Sequence, residues 1–267
     1  MKLSLSIEKT MKPKATWNEL KFGERTFYPI VRILEELKEV VLDKNFLATA
    51  DMDTELYYMF RAVSKGEEDE REIKDKGLRY DITIIPPNKL GLEFVKTKGH
   101  YHPFLPGSKM TYPELYEVLE GEAHYLLQRR EQEQGRGTER ITDVVVVKAK
   151  KGDKVLIPPN YGHVTINPSE ATLKTANWVA NAFSSIYEPI KRQGGAAYFE
   201  LTNGEFVKNE NYEELPDIRF LKPSDVEKEA GLNLNMNLNL SKETEMYELI
   251  KQPETLAFLT NPNLLIK

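Results

Sequence analysis

Apolar positions follow two different periods along this chain, and the change between them divides it. Residues 28–42, "YPIVRILEELKEVVL", repeat apolar residues near every 3.6 positions with Glu and Lys between them, which predicts an amphipathic helix. "ELYYMFRAV" (55–63) is aromatic and strand-like, and the charged stretch "SKGEEDEREIKDKG" (64–77) reads as a solvated loop or short helix. From Leu78 to about Phe206 the pattern becomes short strands divided by Gly, Pro and Asn. "RYDITII", "EFVKTKGHYH", "ELYEVLEG", "EAHYLLQRR", "TDVVVVKAK", "DKVLIP" and "HVTINP" are the clearest, and "REQEQGRGTER" (130–140) reads as an exposed hairpin loop. At least seven short strands at near-regular spacing predict a mainly β fold, an antiparallel sandwich or barrel. Beyond Pro223, "LNLNMNLNL" (232–240) fits an edge strand or a biased linker, and "SKETEMYELIKQ" and "PETLAFL" read as short helices. These shifts predict an N-terminal helical extension (1–54), a central β domain (55–222) and a partly helical C-terminal extension (223–267).

Composition narrows what the β domain can do. Lys plus Arg number 37 against 42 Asp plus Glu, a net charge of −5, which argues against a protein built chiefly to bind nucleic acid. No run approaches a membrane span and residues 1–14 lack the apolar core of a signal peptide, so a cytoplasmic protein is expected. Cysteine is absent, so disulfides and thiolate chemistry are excluded and any metal must be held by His, Asp or Glu.

The chain has only four histidines. His100 and His102 stand two apart in "TKGHYHPF", so on a strand they project to the same face. Downstream, Glu114 precedes Gly121 by seven positions, and "GDKVLIPPNYGHVTIN" carries Pro158, His163 and Asn167. These residues resemble the two motifs of the cupin superfamily, G-x(5)-H-x-H-x(3–4)-E-x(6)-G and G-x(5)-P-x-G-x(2)-H-x(3)-N. The chain departs from them at three points. Phe94 replaces the opening glycine, Asn160 replaces the glycine of the second motif, and "PFLPGSKMTYP" puts eleven residues between His102 and its carboxylate. Asn tolerates a left-handed turn almost as glycine does. Glu117 is the rival carboxylate, on the opposite face of the strand, and Glu114 is preferred for its distance to Gly121. Three neutral imidazoles and one carboxylate suit a divalent first-row ion with positions left open for substrate or water. His124, in "EAHYLL", has no matching partner and reads as structural.

"TKGHYHP", "PELYEVLEGEAHYLLQ", "IPPNYGHVTINP" and "YEPIKRQGGAAYF", with "LYYMFR" and "YDITIIPP", resemble the archaeal, cupin-type glucose-6-phosphate isomerase family over roughly residues 55–220. The resemblance implies a cupin fold and interconversion of glucose 6-phosphate and fructose 6-phosphate in glycolysis and gluconeogenesis. It implies one divalent metal ion (Fe2+, Mn2+, Zn2+ or Ni2+) on His100, His102, Glu114 and His163, with Glu114 and His163 taking part in catalysis. Thr83, Thr97 and Gly99 match positions that contact the substrate phosphate, and Tyr116 matches a pocket tyrosine. Tyr161 (beside Asn160) and Tyr187 are further wall candidates; Tyr198 and Tyr57 or Tyr58 follow with weaker registration. Lys98 is expected to point away from Thr97 and Gly99 into solvent. The small-molecule partner is a sugar phosphate, the expected assembly is a homodimer, and no nucleic-acid or membrane partner is expected. Other cupin activities remain as alternatives, namely another sugar-phosphate isomerase or epimerase, a dioxygenase, or a non-catalytic sugar-binding protein.

Overall fold

Four consecutive valines, Val144–Val147, show how this sequence makes a two-layered β structure. Val145 and Val147 belong to one buried cluster and Val144 and Val146 to another, because strand side chains alternate faces and both faces here are covered. In the computed structural model, which describes residues 17–132, 139–231 and 241–265, this strand is part of a four-stranded sheet. Its order is Tyr161–Ile166, Glu122–Gln132, Glu139–Lys150, Ile218–Leu221, with the last strand parallel to its neighbour. A six-stranded antiparallel sheet faces it, in the order Lys154–Ile157, Glu114–Glu120, Leu173–Ala180, Leu78–Ile85, Glu55–Phe60, Ile30–Ile33. Tyr116, Val118 and Ile157 of one sheet and Tyr125, Leu127 and Val145 of the other share the core between them. The mainly β, two-sheet architecture expected from the strand pattern is therefore present.

The predicted helix over 28–42 is only partly formed. Ile30–Ile33 is an edge strand, with Ile30 opposite Met59 and Val31 opposite Tyr58, and only then do Leu34–Leu37 and Lys38–Val40 coil into short helical turns. An open edge on the large sheet recruits the β-branched residues, and cross-strand hydrogen bonding outweighs the helical period. The charged 64–77 stretch does form a helix, Glu67–Asp75, with Ile73 as its buried residue. Strand pairing in the 130–140 hairpin continues through Gln132 and resumes at Glu139. Residues 133–138 between them, and the "LNLNMNLNL" segment, lie outside the described residues.

The outer face of the six-stranded sheet is covered by the chain's own end. Three 3-10 helices, Met246–Lys251, Pro253–Leu259 and Pro262–Leu265, share a buried cluster with Tyr80, Leu115 and Trp178. Trp178 Nε1 donates to Met246 O at 3.0 Å, and Glu117 accepts from Met246 N at 2.8 Å. Among the described residues no helix is long and apolar enough to cross a membrane.

Candidate metal centre and substrate cavity

Backbone pairing brings the histidines together. Residues 96–101 lie beside the Tyr161–Ile166 strand, where His100 N donates to His163 O (3.2 Å) and His163 N donates to His100 O (3.0 Å). Gly99 precedes this pair at φ +78°, and a Cβ there would stand 2.6 Å from Val164, so the close approach requires glycine. The eleven-residue segment after His102 folds back on itself. Phe104 bridges Thr111 and Tyr112 N donates to Pro103 O, which returns the chain to Glu114. Asn160 takes φ 70° where the motif has glycine. Its side chain accepts from Thr111 N, and its own N–H donates to the Thr111 hydroxyl, so it also anchors that segment.

The resulting cluster contains His100, His102, Glu114 and His163, with one ligand atom from each lying within 4.8 Å of all the others. His102 Nε2 and His163 Nε2 each stand 3.3 Å from Glu114 Oε2, and His100 Nε2 is 3.2 Å from His102 Nε2. Despite this proximity Glu114 Oε2 makes no hydrogen bond, and His163 Nδ1 is likewise buried without a partner. Buried polar atoms are nearly always satisfied, so a carboxylate oxygen left unpaired among imidazole nitrogens suits a cation-binding role. His102 carries a supporting contact: its Nδ1 lies 2.7 Å from Tyr112 O, which can only accept. The proton is thereby held on Nδ1, leaving the Nε2 lone pair aimed into the cluster.

Electrostatics favour the same protonation states. Burial, reinforced by the neighbouring histidines, holds His100 well below the ordinary imidazole value, and burial holds His163 down to about 4. Both are neutral ligands at physiological pH. Burial alone would raise Glu114, but His102, His163 and Arg61 outweigh it and keep the carboxyl below its usual range. The set therefore offers three imidazoles, those of His100 and His163 held neutral by burial, and one carboxylate, the donors that divalent first-row ions accept.

Thr83, Thr97, Gly99, Tyr116 and Tyr187 all line the cavity that opens onto this centre, as does Tyr57. Tyr116 Oη is 3.2 Å from His163 Nε2, and the Tyr187 ring lies 5.4 Å from that of His100. Tyr161 is elsewhere: its hydroxyl donates to Asp143 at 2.6 Å, in a group with Arg219, and it is not part of this cavity. Strand alternation does not account for this, since Tyr161 and His163 share a face; Tyr161 lies one repeat further along the strand, where Asp143 takes its hydroxyl. Tyr198 donates to Pro216 O in the outer cluster of the small sheet, and Tyr58 lies in the outer cluster of the large one. Glu117 faces away from the imidazoles, and His124 pairs with Glu200 at 2.7 Å. Lys98 borders the cavity, with its Nζ 5.7 Å from the centre of the Tyr187 ring, so the expected outward orientation does not hold. Residues 97–99 lie between two single bridges, at Lys96 and His100, instead of in a continuous ladder, and the alternation rule does not govern them.

Sequence reasoning missed Arg61, Arg79 and Asn177, which also line the cavity. For Arg79 the signal was the period of two in "RYDITII", which puts Arg79, Asp81 and Thr83 on one face. Such a polar face reads equally well as solvent-facing until a second sheet covers it.

A β-barrel with a buried three-histidine, one-glutamate centre is of the cupin class. Within that class the family model described as glucose-6-phosphate isomerase (GPI) matches residues 31–217, and the chain belongs to this family. The glucose-6-phosphate isomerase of Pyrococcus abyssi is 32% identical over 142 residues, covering 53% of this chain and 64% of that protein. That of Thermococcus litoralis is 32% identical over 143 residues (53% and 67%), and that of Thermococcus onnurineus 30% over 166 residues (62% and 76%). The matched stretch thus spans roughly two thirds of these relatives. Likeness to solved structures is slight: a Bacillus subtilis oxalate decarboxylase gives a TM-score of 0.34 at 15% identity, over 75% of this chain and 39% of that one. No argument rests on it.

Proposed function

We propose that this protein is a metal-dependent aldose–ketose isomerase that interconverts glucose 6-phosphate and fructose 6-phosphate. The observation that carries the reading is the His100–His102–Glu114–His163 cluster, lying inside the stretch matched by the isomerase family. A divalent ion held by these residues supplies Lewis acidity for the charge that grows on the sugar oxygens at C1 and C2. Iron, manganese, zinc and nickel all suit the donors.

Glu114 is ionised at neutral pH and accepts the C2 proton of the open-chain aldose, then returns it to C1 of the enediol while a hydroxyl proton passes from O2 to O1. Burial pushes the Tyr116 hydroxyl well above its ordinary value, so it stays protonated and donates a hydrogen bond to the developing oxyanion. Thr83, Thr97 and the Gly99 backbone face the same cavity and are suited to the phosphate. The low proton affinity of Glu114 also favours a second route, direct hydride transfer between C2 and C1. Deuterium from solvent appears in the product of the first route and not of the second.

A phosphorylated hexose does not cross membranes, which supports a cytoplasmic enzyme of glycolysis and gluconeogenesis. The open edge at Ile30–Ile33, with Tyr28 and Ile30 exposed, supports a homodimer. Purified protein loaded with Fe2+ or Mn2+ should convert fructose 6-phosphate to glucose 6-phosphate in an assay coupled to a dehydrogenase. Absence of turnover with all four metals would overturn the assignment.

A further inference from the structure

Two arginines face the cavity and are held by one buried acid. Asp81 has no solvent exposure, and its carboxylate accepts from Arg61 Nη1 (2.6 Å), from Arg79 Nε (2.9 and 3.0 Å) and from Ala62 N (2.8 Å). Ala62 adopts φ 53°, a left-handed conformation that a non-glycine residue rarely takes, and its bond to Asp81 fixes the bend that follows Arg61. One carboxylate neutralises one guanidinium, so the group keeps a net positive charge beside the metal centre.

The arginines are also incompletely used. Arg61 Nη2 meets only the thioether of Met59, at 3.2 Å, and neither terminal nitrogen of Arg79 has a hydrogen-bond partner among the described residues. Both side chains are partly accessible, 33% for Arg61 and 22% for Arg79, and both line the cavity. Next to them Asn177 Nδ2 is buried, lines the same cavity and has no partner.

Register gives the distance. Glu114 lies opposite Val179, and Val179 lies opposite Arg79, so the Glu114 and Arg79 backbones stand in one cross-strand row with a single strand between them. Two strand spacings come to about 10 Å between backbones. An extended six-carbon sugar spans roughly 8 Å from C1 to the phosphorus with ordinary bond lengths.

We propose that Arg61 and Arg79, clamped by Asp81 and joined by Asn177, form the anchor for the dianionic phosphate of the substrate, beyond the contacts expected from Thr83, Thr97 and Gly99. The proposal rests on the isomerase reading for the identity of the substrate, but the anion site stands on its own geometry. Guanidinium pairs suit a phosphate because each presents parallel N–H donors and keeps its charge at every relevant pH.

The test uses inorganic phosphate as the probe on the full-length, metal-loaded protein, with binding followed by calorimetry beside the coupled isomerase assay. Arg61→Met and Arg79→Met should each weaken phosphate binding about ten- to a hundredfold, with the loss of activity appearing mainly as a raised KM. Arg79→Lys should recover part of the affinity, which a merely structural role would not require. Circular dichroism and thermal melting identify variants that fail to fold, and Arg79→Lys, which retains the charge, then carries the test. Wild-type phosphate affinity in folded Arg61→Met and Arg79→Met would overturn the proposal. Wild-type protein that binds phosphate through these arginines yet shows no isomerase activity would leave the anion site standing and remove the isomerase reading instead.

Discussion

The two faces of the six-stranded sheet are made by the same strands, yet they end their polar groups in opposite ways. On the outer face Trp178 Nε1 donates to Met246 O, Glu117 accepts from Met246 N, and Lys154 Nζ reaches both Glu117 (3.2 Å) and Ser241 O (2.8 Å). Tyr247 donates to Asp69 at 2.6 Å while its ring packs against Tyr80 and Trp178. On the inner face Glu114 Oε2 and Asn177 Nδ2 are buried without partners. An unsatisfied buried polar atom costs on the order of 1–3 kcal/mol, so a sheet able to satisfy one face has no folding reason to leave the other open. The difference separates the frame from the working surface: the outer face holds the chain's end in place, and the inner face keeps its donors and acceptors for a ligand.

The sharpest way to break this contrast is at the ligand set. His163→Ala should remove bound metal and lower isomerase activity by about 10³-fold or more, since Lewis-acid stabilisation contributes several kcal/mol. Metal content by elemental analysis and turnover should fall together; full activity in a metal-free preparation of the variant would refute the ligand scheme. On the outer face Trp178→Ala should cost about 3–5 kcal/mol of stability in urea denaturation while folded protein retains its metal stoichiometry. Loss of metal without loss of stability would mean that the faces are not separate.

The smallest expected effect concerns Glu117. Burial raises its carboxyl above the ordinary 4.5, against the hydrogen bond from Met246 and the charge of Lys154. A carboxyl raised on folding stabilises most below its unfolded value, and that contribution is lost as pH rises through the folded value. Glu117→Gln is neutral throughout. The melting temperature of wild type relative to this variant should therefore be most favourable near pH 4 and decline toward neutrality. A difference that grows with pH would reverse the assignment of burial as the dominant cause.

The metal ligands were legible because their evidence is local. Histidine is rare in this chain, and the His-x-His spacing, the Glu114–Gly121 spacing and the Pro158–His163–Asn167 frame each lie within one short segment. The short strands from Leu78 onward were legible too, because a period of two is a property of neighbouring residues. Less could be read where a partner far along the chain decides. The 28–42 segment carries a helical period, but its first residues pair with Glu55–Phe60. Tyr161 sits beside a ligand strand, and only Asp143 and Arg219 show which end of the barrel it serves.

By itself the sequence determined the chemistry of the centre, a cysteine-free set of three imidazoles and one carboxylate, and the β character of the domain that carries it. Tertiary structure decided which face of each strand looks inward. It turned the eleven-residue segment after His102 into a hairpin that returns Glu114 to His102, and it made a polar strand face into a cavity wall bearing Arg61, Arg79 and Asn177. The physical reason is that alternation assigns side chains to one face or the other, and only the packing of a second sheet determines which of those faces is buried.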